Sequence, residues 1–116
     1  MSKSNYSVAV LAGDGIGPEV MAEAIKILKL VEARNNIEFE LLPGAFGASA
    51  YFSHGHSFPD ETKALCDDAD AILKGPIGLN HEESKKIPVD MQPERGALLP
   101  LRQRYDTFAN FRPVYL

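Results

Sequence analysis

Several residue sets in this chain have types and spacings that could do chemistry. The first is Gly13-Asp14-Gly15-Ile16-Gly17-Pro18-Glu19. Glycines relieve the turn and let backbone approach a ligand, and the helix start that follows attracts negative charge. The spacing is not the dinucleotide fingerprint G-x-G-x-x-G, because the third glycine comes one residue early and proline follows it. The same residues also suit an ordinary tight turn from strand to helix. The second set is Arg95, Arg102, Arg104 and Arg112. A helix end carrying Arg102 and the next strand carrying Arg112 can converge, and two planar guanidinium forks suit a small multi-carboxylate anion. Against this stands surface pairing with Asp106 or Glu94, the reading we take for Arg104. His54, His56 and His81 lack the array of three or four ligands that a metal needs, so we read them as loop histidines. Lys74, at a strand end beside Gly75-Pro76, is either solvated or faces a site. Cys66 stands next to Asp67 and Asp68, whose charge raises a thiol pKa, so a reactive nucleophile is not expected there.

These residues need elements to position them. Residues 6–11 form a short Val-rich run closed by Gly13-Asp14-Gly15, which predicts a buried strand. Pro18 and Glu19 suit a helix start, and Met21, Ala24, Ile25, Leu28 and Val31 share a face, so residues 18–33 predict a helix ended by Asn35-Asn36. Ile37, Phe39 and Leu41 alternate with Glu38 and Glu40, as expected for a strand near a sheet edge. Residues 44–56 read as a short helix or loop. Ser57 and Asp60 have capping-box spacing ahead of a helix running to about residue 67. Residues 69–74 predict a third strand, and residues 77–93 a polar loop broken by Gly78, Pro88 and Pro93. Residues 94–105 carry Leu98, Leu101 and Tyr105 at helical spacing. In residues 108–112, Phe108, Asn110 and Arg112 share one face of a predicted strand, and Ala109 and Phe111 the other. The order predicts an α/β layered sheet with flanking helices and some parallel pairing, within one domain over residues 1–116.

Composition narrows the class. The 116 residues hold 12 Lys+Arg and 16 Asp+Glu, a net charge of −4, and are 45% hydrophobic. That excludes a low-hydrophobicity disordered chain and argues against a general nucleic-acid binder. One cysteine forbids an internal disulfide and fits a reducing compartment. No apolar run approaches the roughly 18 residues of a membrane span. The run Val8-Ala9-Val10-Leu11-Ala12 is too short for a signal segment, so we expect a cytoplasmic protein.

The motifs resemble, in order, the N-terminal part of the isocitrate/isopropylmalate dehydrogenase family. They are the block from Val8 to Val20, then Ser57-Phe58-Pro59, then Ala71-Ile72-Leu73-Lys74-Gly75-Pro76, then Leu98-Leu99-Pro100-Leu101-Arg102 and Phe108-Ala109-Asn110-Phe111-Arg112-Pro113. The resemblance is closest to isopropylmalate-type members and covers nearly the whole chain, as an incomplete part of a larger fold. It implies NAD- and divalent-metal-dependent oxidative decarboxylation of a 3-substituted malate, as in leucine biosynthesis. Mg2+ or Mn2+ would polarise the C2 oxygen, and hydride would leave C2 for NAD. By resemblance Arg102 and Arg112 grip the substrate carboxylates, while Leu98 and Leu99 face an apolar C3 substituent. An apolar wall would strand a third carboxylate, which disfavours isocitrate. Ile16, Gly78, Leu79 and Glu94 match segments beside the nicotinamide.

Pro93-Glu94-Arg95-Gly96 carries one residue more than the family pattern before Leu98-Leu99. This leaves Arg95 free to meet an acidic substituent, as in homoisocitrate- or tartrate-type relatives. The tyrosine acid, lysine base, metal-binding aspartates and adenosine loop of the family lie downstream of residue 116. No catalytic or metal-binding residue is therefore expected within the chain, which we read as part of a longer enzyme and inactive alone. The full enzyme would be a homodimer acting on a small dicarboxylate, with no nucleic-acid or membrane partner. The other class of reading is a non-catalytic α/β module that at most binds a small anion.

Overall fold

The computed structural model describes residues 4–116. Three parallel strands form its sheet, β1 (Asn5–Leu11), β2 (Glu38–Pro43) and β3 (Ala71–Lys74), in the order β2-β1-β3. β1 is central: Val8 pairs with Leu41 on one side and with Ala71 on the other. Successive side chains of a strand point to opposite faces, and β1 fills both. Val8 and Val10 pack with Met21 of helix α1 (Gly17–Asn35). Ala9 and Leu11 pack with Phe46, Phe58, Cys66, Ala97 and Leu101. That second layer consists of α2 (Ala48–His54), α3 (Asp60–Asp68) and the helical stretch ending in α5 (Leu99–Arg104). Its centre is an edge-to-face pair, Phe46 and Phe58, with centroids 5.3 Å apart. Such a pair adds about 0.5–1.5 kcal/mol beyond the area it buries.

Helix α1 ends where Asn36 takes a left-handed conformation (φ 53°, ψ 46°), which asparagine tolerates. Glu32 then accepts the Phe39 N–H at 2.6 Å and ties the helix to β2. Glu38 and Glu40 are exposed and Phe39 half-buried, as the alternation predicts for an edge strand.

Elsewhere the local expectations fail. The proposed capping box does not form: Pro59 occupies the cap of α3, with no side-chain bond, and the buried Ser57 hydroxyl has no partner. His54 and His81 lie in helices, closing α2 and opening the short α4 (His81–Ser84), so they are not loop residues. The expected 77–93 loop therefore contains α4 and a 3-10 turn, Val89–Met91. The single helix expected over 94–105 is a π-helical stretch, Pro93–Leu98, running into α5. The Leu99 N–H reaches back five residues to the Glu94 carbonyl. A π turn spreads one more residue over the turn than an α-helix does. Finally, residues 107–116 form no strand and lie exposed.

Candidate substrate and cofactor site

In a parallel α/β sheet, ligands bind beyond the carboxyl ends of the strands. Here those ends are the Gly13-Asp14-Gly15 turn after β1 and the Lys74-Gly75-Pro76 segment after β3. Gly13 has φ +82°, and a Cβ there would sit 2.0 Å from the Pro76 carbonyl oxygen, so the two turns touch through backbone. Asp14 is 4% exposed and holds them together. Its carboxylate accepts the Ala48 N–H at 2.8 Å, the Ser49 N–H at 2.7 Å and the Gly78 N–H at 2.9 Å. The first two open α2, where a carboxylate is a natural cap. Asp14 also donates its own N–H to Pro76 O at 2.9 Å. Gly47 leaves room for it, since a Cβ there would stand 2.5 Å from Asp14 Oδ2.

This brings most of the predicted cofactor-side residues together. Gly78 hangs from Asp14, and a Cβ built on it would lie 3.7 Å from Glu94 Oε1. Leu79 joins Gly13, Asp14, Gly15, Ser49 and Phe52 around a cavity of about 400 Å3. Ile16 caps α1 and is 66% exposed. In the sequence Asp14 reads as part of a glycine turn. Its only local signal was an acid set between two glycines.

A second cavity, about 530 Å3, runs along the outer edge of β3 beneath α5. Ile72, Leu98, Leu101 and Tyr105 give it an apolar wall, Lys74 and Arg102 line it as cations, and Asp67 and Asp70 line it as carboxylates. Lys74 is half-buried and donates from Nζ to the Gly75 carbonyl at 2.8 Å. Burial, with the nearby Arg102 charge adding to it, pushes its pKa down. Lys74 thus faces the cavity.

Among the predicted substrate residues, Arg102 and Leu98 line this cavity, whereas Leu99, 48% exposed, Arg95 and Arg112 do not. The expected convergence of Arg102 and Arg112 is absent, because residues 108–112 do not form the strand that would carry Arg112 there. Arg104 is paired, as expected, but with Asp67 and not with Asp106 or Glu94. Its guanidinium binds both carboxylate oxygens while Tyr105 donates its hydroxyl at 2.7 Å, and these contacts hold Asp67 down at about pKa 2. Burial, followed by its bond to Asp67, pushes Tyr105 up to about 12. Cys66 is buried, and its pKa is raised first by burial and then by Asp67. Only the charge is visible in the sequence; the burial is not. Among the described residues no three His, Cys, Asp or Glu side chains stand together as a metal site, and no helix is long and apolar enough to cross a membrane.

The chain is thus a parallel α/β unit with a backbone-built loop cluster at the carboxyl ends of its strands and a cavity of mixed charge along the edge of β3, the layout of a ligand-binding α/β fold. The family model described as isocitrate/isopropylmalate dehydrogenase matches residues 7–116, and the chain belongs to that family. It is 47% identical over 116 residues to the 3-isopropylmalate dehydrogenase of Pseudoalteromonas translucida, covering 100% of this chain and 32% of that one. It is 50% identical over 113 residues to the 3-isopropylmalate dehydrogenase of Mannheimia succiniciproducens, covering 97% of this chain and 31% of that one. A solved structure, the apo β-decarboxylating dehydrogenase of Thermococcus kodakarensis, matches with a TM-score of 0.60 at 32% identity, over 87% of this chain and 27% of that chain. The chain therefore spans about a third of the length of these relatives.

Proposed function

We propose that this chain forms the N-terminal share of a 3-isopropylmalate-type, NAD- and divalent-metal-dependent β-decarboxylating dehydrogenase of leucine biosynthesis, cytoplasmic and homodimeric when whole. One observation carries the reading: Arg102 and the apolar side chain of Leu98 line one cavity at the edge of β3. A substrate with a carboxylate and an apolar C3 substituent needs a cation beside an apolar wall. Arg102 would hold a malate carboxylate and Leu98 the C3 group, with Leu99 outside this cavity. Arg112 would supply the second guanidinium. Arg95, exposed on the π turn, stands apart from this wall.

The nicotinamide end of NAD fits the Asp14 cluster. Gly78 has φ +120°, and no side chain stands between its backbone and the Glu94 carboxylate. Ile16, Gly78, Leu79 and Glu94 would hold that end, and NAD would supply the hydride acceptor. The residues of this chain bind and orient the substrate: guanidinium groups fix the carboxylates, and the Asp14 cluster keeps two turns rigid around the reacting centre. The divalent ion of this reading, Mg2+ or Mn2+, takes its ligands from residues outside this chain.

The reading is tested in a hybrid in which residues 1–116 replace the corresponding segment of the Mannheimia succiniciproducens relative. The hybrid should form NADH from 3-isopropylmalate with Mg2+ or Mn2+ at a higher kcat/KM than from isocitrate, homoisocitrate or tartrate. A folded hybrid that prefers one of those acids would replace the isopropylmalate assignment with that one. A folded hybrid silent on all four would leave the non-catalytic reading.

A further inference from the structure

We propose that Lys74 is a further carboxylate-binding cation of the cavity along β3, gripping the diacid together with Arg102. The proposal rests on the diacid reading above and adds a residue to it. Alternate side chains of a strand share a face. Ile72 packs in the layer of Phe46 and Phe58, while Leu73 packs in the layer of Met21 on the other face of the sheet. Lys74 therefore leaves the carboxyl end of β3 on the same side as Ile72, and it lines the cavity there. Across from it, Leu98, Leu101, Arg102 and Tyr105 stand at spacings of three and four, which puts them on one helical face. An ammonium from the sheet and a guanidinium from the helix thus share one space.

The cavity's own carboxylates do not neutralise this pair. Asp67 is engaged by Arg104 and by the Tyr105 hydroxyl. Asp70 accepts the Ser7 N–H at 2.8 Å, at the opposite end of β3. From Asp70 to Lys74 the extended chain spans about 13 Å, at about 3.3 Å per residue. Among the described residues neither Lys74 nor Arg102 forms an ion pair with a carboxylate. The Lys74 ammonium bonds the neighbouring Gly75 carbonyl, a neutral partner.

Burial penalises an ammonium, and a second cation in the same cavity adds to that cost. Both act on Lys74, whose pKa they lower. A carboxylate between Lys74 and Arg102 offsets both, because each cation then gains a charge-assisted hydrogen bond. Ile72, Leu98 and Leu101 lie beside the two cations and leave the substituent of the diacid an uncharged surface.

Calorimetry on the hybrid with malate and Mg2+, and without NAD, tests this. Malate is a diacid with no C3 substituent, so the readout does not depend on which acid the hybrid oxidises, or on whether it oxidises any. Lys74→Met should weaken malate binding at least about tenfold, and Lys74→Arg, which keeps the charge, should stay within about fivefold of the parent. Lys74→Gln is the deciding variant should Lys74→Met lose cooperative unfolding in urea. Unchanged affinity in Lys74→Met overturns the proposal and leaves Arg102 and the dehydrogenase reading standing. An equal loss in Lys74→Arg also overturns it, since the role would then be packing and not charge. A folded parent that forms NADH from 3-isopropylmalate but binds no malate overturns the Lys74 assignment alone. A folded parent that does neither removes the diacid reading with it.

Discussion

Around Asp14 the carboxyl end of the sheet is held by main-chain groups converging on one buried carboxylate, whereas around Arg102 it is lined by side chains, with Arg102 exposed and Lys74 half-buried. The first region is dense, and Gly13, Gly17 and Gly47 leave no room for a Cβ. The second is open along the edge of β3. A turn that positions a cofactor must be rigid before the cofactor arrives, since ordering it at binding would cost affinity. A guanidinium that grips a mobile diacid can keep its freedom until the substrate binds. The two regions should therefore answer mutation in opposite ways, one in stability and the other in binding.

The largest effect should come from Asp14→Ala. It strands three N–H groups, and at about 1–3 kcal/mol each the loss is about 3–9 kcal/mol in urea unfolding. A loss below about 1 kcal/mol would dissolve the distinction between the regions. Next is Gly13→Ala, which demands a left-handed alanine and drives a Cβ into Pro76 O. A cost of about 2–4 kcal/mol is expected in the same assay. Arg102→Ala inverts the pattern. Stability of the chain should move by less than about 0.5 kcal/mol, while kcat/KM of the hybrid falls about 10–100-fold.

The smallest effect belongs to the exposed Asp67–Arg104 pair. Asp67 has its folded-state pKa depressed to about 2. Its contribution is therefore present above the ordinary carboxylate value of about 3.9 and is lost as pH falls through the folded value. The thermal midpoints of the parent and Arg104→Ala should differ slightly at neutral pH and merge near pH 2. A gap that widens in acid would reverse the assigned sign.

What could be read in advance follows the range of the interactions. Helix α1 and the three strands were legible because their signals are local: a Pro-Glu start, an Asn stop, and apolar periodicity. The glycine turn was legible for the same reason. Asp14 was not, because its partners lie 34 and 64 positions away at Ala48 and Gly78. The Ser57–Asp60 spacing misled because Pro59 takes the cap and Ser57 packs against Gly96, whose Cβ would stand 2.3 Å from its hydroxyl. The π turn left no local signal, because its form depends on Gly96 and Ala97 being buried. The strand over 108–112 was drawn from alternation alone, and alternation does not supply the edge on which a strand must pair.

The central claim is that Arg102 serves the substrate while its neighbour Arg104 serves the fold. It is tested most directly by kcat/KM for 3-isopropylmalate in two variants of the hybrid. Arg102→Ala should lower it about 10–100-fold, and Arg104→Ala should leave it within about twofold of the parent. Equal losses in both variants, or a loss confined to Arg104→Ala, would contradict the account.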